Sequence, residues 1–360
     1  MLPHYTAQNL LFAELLHKFV YVEGPLYILI SLFCPIVLWL IAKKIFNKRF
    51  ALIPPIILLL SPWGWYLTLA NSFYIFMFFL TLIIVYGIVL IRSGNKILGN
   101  ILITIGSIIS IYSSSIFLVL IPVGFILSIL LKIVNFKQVK YSVVILIVLT
   151  LPLLIFVSKN NVGFRNTLSR NVKIFSDPSL LNSVNRFQGA AEEMGLKNLS
   201  RISENKYIFF TEYSVLKYTT QLVPKTFFTP EYKLLGFSFS PPVFIGFVIP
   251  FIYGLYLALK KAELRNILFV STLLTIPSIL ANEQVALNRL ILFSPVILLL
   301  ISYGLINFYE ERKKTTVRNF LALTLFLVIF QLFVTINDIR FKESQRFVQY
   351  FGNKYEMTEP

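Results

Sequence analysis

The feature that most constrains this chain is a succession of apolar stretches, each about as long as a bilayer is thick, joined by short connections of which every second one is basic. The stretches lie at about 25–42, 51–68, 72–91, 97–112, 116–134, 141–157, 242–259, 266–282, 290–308 and 319–337. A helix rising 1.5 Å per residue needs roughly 20 residues to cross a hydrocarbon core of about 30 Å, and most of these stretches meet that length. Of the 360 residues 57% are hydrophobic, Phe alone contributes 35 and only 14% are charged, more apolar surface than one water-bounded core can hide. The expected fold is all-α, a polytopic membrane helix bundle of about ten transmembrane helices with one helical external loop. The second stretch is short and carries Pro54, Pro55 and Pro62, which predicts a kinked or partial crossing.

The basic residues fix an expected orientation. Lys43, Lys44, Lys48 and Arg49 form one cluster, Arg92 and Lys96 a second, and Lys132, Lys137 and Lys140 a third. Lys260, Lys261 and Arg265 form a fourth, and Arg312, Lys313, Lys314 and Arg318 a fifth. By the positive-inside rule these five connections face the cytoplasm, and Trp63–Asn71, Tyr112–Ser115, Ser158–Ser240 and Asn282–Arg289 face outward. An even number of spans then leaves both termini outside. The expected organisation is a juxtamembrane segment and six-helix half over 1–157, an external loop module over 158–241, a four-helix half over 242–338 and an external tail over 339–360.

The long middle segment has its own pattern. Asp177-Pro178 followed by Leu180, Val184, Phe187, Ala191 and Met194 is a helix cap, a Pro in the first turn and an apolar stripe, closed by Gly195. It predicts an amphipathic helix lying on the membrane or on the other helices. Tyr207 to Leu222 predicts a second helix, ending at Pro224 before an interfacial turn at Phe227-Phe228.

The net charge of +17 comes from these short clusters and forms no continuous stripe, so nucleic acid is not the expected partner. Cys34 is the one cysteine, which excludes an internal disulfide, and two histidines, His4 and His17, make a His-based metal site improbable. Residues 1–23 lack a basic region ahead of an apolar one and do not read as a cleavable signal. Asn198-Leu199-Ser200 matches a glycosylation acceptor. The chain carries no Gly-rich phosphate loop, His-Glu-x-x-His or Gly-x-Ser-x-Gly motif.

Three outward features converge under this orientation: Ser61-Pro62-Trp63 with Trp65 and Tyr66, Tyr112-Ser113-Ser114-Ser115, and Asn282-Glu283-Gln284 with Asn288 and Arg289. The first reads by default as an aromatic belt anchor and the second as a polar turn between helices. Arg289, at the start of an apolar span, stands where a lipid phosphate lies, and its forked donors suit one. A snorkelling arginine is the equal alternative, because mid-bilayer burial costs roughly 2.5–3.5 kcal/mol.

At these residues the chain resembles the C-type (GT-C) membrane glycosyltransferases of the protein-mannosyltransferase and aminoarabinose-transferase kind. Ser61-Pro62-Trp63 is similar to the family's Ser-Pro-Trp turn, Tyr112 with Pro122 to its Tyr-rich turn and Pro-containing helix, and Asn288-Arg289 with Phe293-Ser294-Pro295 to its late Arg–Pro span. The likeness runs loosely over about 20–340. It implies a transferase that takes a sugar from a polyprenyl-phosphate donor at the outer face of the plasma membrane and passes it to an acceptor hydroxyl. Trp63, Tyr112, Asn282, Glu283 and Arg289 are then the substrate-binding candidates.

In that family an acid in the first external loop deprotonates the acceptor, after a first helix that has no counterpart here. The expectation is a member without its first span and most of that loop, or one whose partner subunit supplies the missing helix. Leu69 and Leu118 also stand where relatives carry basic residues. Glu14 is the N-terminal candidate for the base, although Leu10, Leu11, Phe12, Leu15 and Leu16 around it read first as an amphipathic helix on the outer leaflet. Glu192, Glu193 and Glu212 are loop candidates. A divalent metal ion is a candidate assistant without a visible ligand cluster. The alternatives are an inactive or split relative that binds a lipid-linked sugar, and a polymerase or ligase of the O-antigen kind. A transporter calls for ionisable residues in mid-span, which these spans almost lack.

Overall fold

The computed structural model describes residues 25–64, 73–114, 116–159, 178–195, 205–229, 241–281 and 285–347. Every regular element among them is helical. Helix α1 (Pro25–Ile45) is an apolar run with Pro35 inside it and ends on Lys43 and Lys44. Helix α2 (Ile53–Leu60) starts on Pro54 and Pro55, where the missing N–H groups cost nothing. At ~12 Å it is far too short to cross.

Helix α3 (Phe73–Arg92) turns at Gly94, whose φ is +97°, into α4 (Lys96–Ser113), and Asn95 caps the second helix by accepting from the Leu98 N–H at 3.4 Å. The two helices touch backbone to backbone at Gly87 and Gly99, where a Cβ on either would meet the other's carbonyl at 2.8 and 2.7 Å. Close approach through small residues is how helices gain packing energy in lipid, where burial from water is no longer the drive.

Helix α5 (Phe117–Leu130) follows, interrupted by Pro122, and then α6 (Phe136–Lys159). Asn100 of α4 holds α6 by donating to the Gln138 carbonyl at 2.8 Å and accepting from Ser142 Oγ at 2.5 Å.

The middle segment carries α7 (Pro178–Glu193), α8 (Lys206–Leu222) and the short α9 (Lys225–Phe228). The amphipathic helix expected after Asp177-Pro178 lies on α8, with Phe187 against Phe209 at 6.1 Å, and Gly195 at its end has a φ of +76°. Phe227 and Phe228 differ from expectation. Instead of forming an interfacial turn they are buried in the main core, against Trp63, Phe293 and Phe251. The Phe227 carbonyl accepts from the Val243 N–H at 2.9 Å, which ties the end of the segment to the start of the next helix.

Helix α10 (Val248–Lys260), entered through a 3-10 turn at Ile245–Phe247, bends by 116° at Lys261 into α11 (Ala262–Ser271). A second 3-10 turn (Thr272–Thr275) and the four-residue α12 (Ile276–Ile279) continue that arm, so the stretch expected over 266–282 lies in one helical arm, Ala262–Ile279, of the bent pair. The short α13 (Leu287–Leu290) and a 3-10 turn lead into α14 (Ser294–Glu311), and α15 (Lys314–Phe347) ends the described chain.

Six helical stretches among the described residues are long and apolar enough to cross a membrane: α1, α3, α4, α6, the continuous run Leu287–Glu311, and α15. The bent pair α10–α11 makes a seventh if it counts as one span. The chain is an integral membrane protein by this measure. The basic connections meet one another at one end of the bundle. Arg49 donates to the Tyr309 hydroxyl at 3.2 Å, Arg92 pairs with Glu263, and Asn266 donates to the Leu131 carbonyl at 3.2 Å.

Candidate functional site

The opposite end, away from the lysines, is where α3 and α13 begin and α4 finishes. A small cavity of about 30 Å³ lies there, lined by Phe73, Tyr74 and Met77 of α3, Ser114, Ile116 and Phe117 from the α4–α5 turn, and Pro277, Arg289 and Leu292. This is about the space of one or two waters. Arg289, half-buried, is the one charged residue among the described residues of the lining. Its Nη1 donates to the Pro277 carbonyl at 3.3 Å, and its guanidinium lies 6.0 Å from the centre of the Tyr74 ring. The tether and the ring together fix the plane of the guanidinium, whose N–H donors form a rigid fork.

The segment that presents Arg289 is held from three sides. Ser278 bridges the loop after α12: its Oγ accepts from the Ala286 N–H and donates to the Ala286 carbonyl, both at 3.1 Å. Trp63 Nε1 donates to the Leu287 carbonyl at 2.9 Å. Lys217 of α8, 2% exposed, donates its ammonium to the Ala281 carbonyl at 2.6 Å and lies 5.1 Å from the Tyr213 ring. A buried ammonium needs such acceptors, because stripped of water and unpaired it is costly. α8 therefore holds the chain at Ala281, on the near side of residues 282–284.

Of the expected substrate contacts, Arg289 lines the cavity. Trp63 does not. It is 1% exposed, and Ser61 Oγ and the Trp63 N–H anchor its turn by donating to the Pro242 carbonyl at 2.6 and 3.2 Å. The Ser-Pro-Trp turn is thus a bolt inside the fold, and Trp63 is no belt anchor. Tyr112 also stands outside the cavity, and its hydroxyl donates to the Leu149 carbonyl at 2.7 Å.

Asn282 and Glu283 lie outside the described residues, although both flanks of their loop are fixed as above; Glu14 lies outside them too. Glu192, Glu193 and Glu212 are exposed and none of them lines the cavity. No group of three His, Cys, Asp or Glu side chains able to hold a metal gathers among the described residues.

Sequence reasoning missed Ser278, Lys217 and the bracing use of Trp63. Lys217 had a visible signal, since it interrupts the face of α8 that carries Phe210, Tyr213 and Gln221, and a lysine on a docking face needs an acceptor. No protein-family model matches the sequence, and no curated protein matches it.

Proposed function

We propose that this chain is a membrane glycosyltransferase-like protein of the GT-C kind, which takes a sugar from a polyprenyl-phosphate donor and passes it to an acceptor hydroxyl at the outer face, with the donor phosphate at Arg289. The observation that carries the reading is the placement of Arg289. It sits in a notch at the end of the bundle opposite the lysine-bearing connections, where its Nη1 donates to the Pro277 carbonyl and Tyr74 and Ser114 stand beside it. A notch of this size accepts phosphate oxygens and leaves the sugar outside it. Arginine's planar fork suits phosphate oxygens better than a point charge does.

The ten-span topology with an external 158–241 segment belongs to the same proposal. Four of the ten crossings are not secured by helix length: the stretch containing α2, the ~21 Å α5, and the two arms of the bent pair. Their support is the gathering of the basic connections at one end, which is what alternating crossings produce.

A second reading, a relative that binds the lipid-linked sugar without transferring it, is favoured by the makeup of the notch. Among the described residues its lining offers Arg289, a tyrosine and a serine, and no carboxylate. One experiment addresses both readings: purified protein in lipid nanodiscs is given a polyprenyl-phosphate sugar, and binding and transfer to a soluble hydroxyl acceptor are measured with and without Arg289→Ala. Binding that falls by roughly tenfold or more in the variant supports the phosphate site. Transfer identifies an enzyme, and binding without transfer identifies the second reading. Wild-type affinity in Arg289→Ala would remove both.

A further inference from the structure

The sequence has no acidic residue between Glu23 and Asp177, so the cations of α1 to α6 find carboxylates in the second half of the chain or go without. Most of the basic clusters have a counterweight. Arg92 pairs with Glu263, and the fifth cluster follows directly on Glu310 and Glu311. Lys43 and Lys44 close α1 and Lys260 closes α10, where the negative pole of the helix dipole favours a cation. Lys96, Lys137 and Lys140 have neither. Lys96 and Lys137 open α4 and α6, against the positive pole, and neither first turn holds an acid. All three lysines are exposed, and among the described residues no carboxylate pairs with them.

Their backbones are held together. Asn100 Nδ2 donates to the Lys96 carbonyl at 2.7 Å and to the Gln138 carbonyl at 2.8 Å, so one nitrogen pins the first turn of α4 beside the first turn of α6. Ser142 Oγ closes the joint by donating to Asn100 Oδ1, and Gln138 Oε1 accepts from the Asn135 N–H at 3.2 Å, which fixes the start of α6. Lys96 and Lys137 thus project from adjoining backbone, and Lys140 is one turn further along α6. Like charges gathered this way repel one another unless an anion lies among them. Just beyond them the two helices turn apolar side chains outward: Ile97 is 79% exposed and Tyr141 65%, with Ile101 and Val144 next along. The Lys140 ammonium lies 4.8 Å from the centre of the Tyr141 ring.

We infer that the junction of α4 and α6 is a site for an anionic phospholipid, its phosphate among Lys96, Lys137 and Lys140 and its acyl chains along Ile97, Ile101, Tyr141 and Val144. Both helices are long and apolar enough to cross a membrane, which sets their first turns at headgroup level in the leaflet at the lysine-bearing end. Basic pockets between membrane helices take such headgroups, and lysine stems run along apolar surface while the ammonium meets the phosphate. A soluble anion would satisfy the charge and leave the exposed apolar residues beside it unused. The site is at the other end of α4 from the Arg289 notch and stands whether or not a sugar is transferred.

The test uses the full chain in a neutral detergent, titrated with dioctanoyl phosphatidylglycerol, dioctanoyl phosphatidylcholine and glycerol phosphate, with bound molecules counted by native mass spectrometry. The wild type is expected to bind phosphatidylglycerol roughly tenfold or more tightly than phosphatidylcholine, and glycerol phosphate not measurably. Combining Lys96→Gln, Lys137→Gln and Lys140→Gln is expected to abolish the preference. The matched combination of Lys43→Gln, Lys44→Gln and Lys260→Gln removes the same charge and should stay within about twofold of the wild type. Lys137→Gln alone, with an expected loss of roughly fivefold, serves if the triple variant does not fold. Equal losses in the two triple variants would make the preference a property of the whole basic rim and overturn the inference. So would equal affinity for the two lipids, or for glycerol phosphate and phosphatidylglycerol, the latter marking a soluble-anion site.

Discussion

Two spans of nearly equal hydropathy are used in opposite ways. The run Leu287–Glu311 has a mean hydropathy of 2.2 and is 72% buried in the protein, whereas Lys314–Ile336 has 2.3 and is 17% buried. In water an apolar residue turned outward is a cost, so hydropathy points to the core; in lipid both directions are apolar and the signal vanishes. What separates the two spans is small residues and hydroxyls. α14 turns Ser294, Ser302 and Gly304 inward, while α15 turns Leu325, Phe326, Phe330 and Phe333 outward. The central span carries Arg289 at its start and leans on α10 so closely that a Cβ at Gly304 would lie 1.9 Å from the Pro250 carbonyl.

The sharpest way to break the contrast is Gly304→Leu. No side-chain rotation relieves a contact with backbone, so α10 and α14 must separate, at an expected cost of about 3 kcal/mol or more. The measurement is the fraction of monodisperse protein recovered in detergent and its thermal midpoint. Wild-type recovery and midpoint would mean that the two helices do not touch through these glycines.

Next in size is the clasp from the middle segment. Lys217→Met keeps the length and apolar stem of the side chain but removes the ammonium from the Ala281 carbonyl, a charge-assisted bond of about 1.5–3 kcal/mol. The expected result is a lower thermal midpoint together with faster proteolysis within 282–284. An unchanged cleavage rate there would show that α8 does not restrain the loop.

Trp63→Phe is the subtler version on the bundle side. The ring against Phe227 is largely kept, and the buried Leu287 carbonyl loses its donor, which costs about 1–2 kcal/mol. Calorimetry of the variant reads this directly, and a midpoint equal to the wild type would place the indole N–H outside that bond.

These residues also mark what the sequence made legible. The helices were readable wherever length or capping spoke: α3 and α4 at almost their observed bounds, and α7 from its Asp-Pro start and its Gly end. Arg289 was readable as a cation at the head of an apolar span, and it lines the small cavity at that end of the bundle. The 3-10 turn at Thr272–Thr275 was not, since Thr and Ser among leucines fit an α-helix as well as a 3-10 turn. The use of Ser61-Pro62-Trp63 as an internal bolt was hidden too. A tryptophan near a span end has the same local pattern at a lipid interface and in a core, and the carbonyl it binds belongs to Leu287, more than 200 residues away.

The smallest expected effect falls on the peripheral span. Phe326 and Phe330 of α15 stack at 6.5 Å and are 65% and 56% exposed outside the bundle, so Phe326→Leu and Phe330→Leu exchange one lipid-facing apolar surface for another. The midpoint should stay within about 0.5 kcal/mol of the wild type in stability. α15 is still fastened elsewhere: Gln331 Oε1 accepts from the Ile245 N–H at 2.6 Å, and Gly246 lies so near that a Cβ there would be 2.8 Å from the Thr324 carbonyl. The helix therefore has one fixed face and one free face, and the two leucine variants probe only the free one. A loss comparable to that of Gly304→Leu would mean that this face meets protein rather than lipid, and the contrast between the two spans would then belong to the single chain and not to its assembled form.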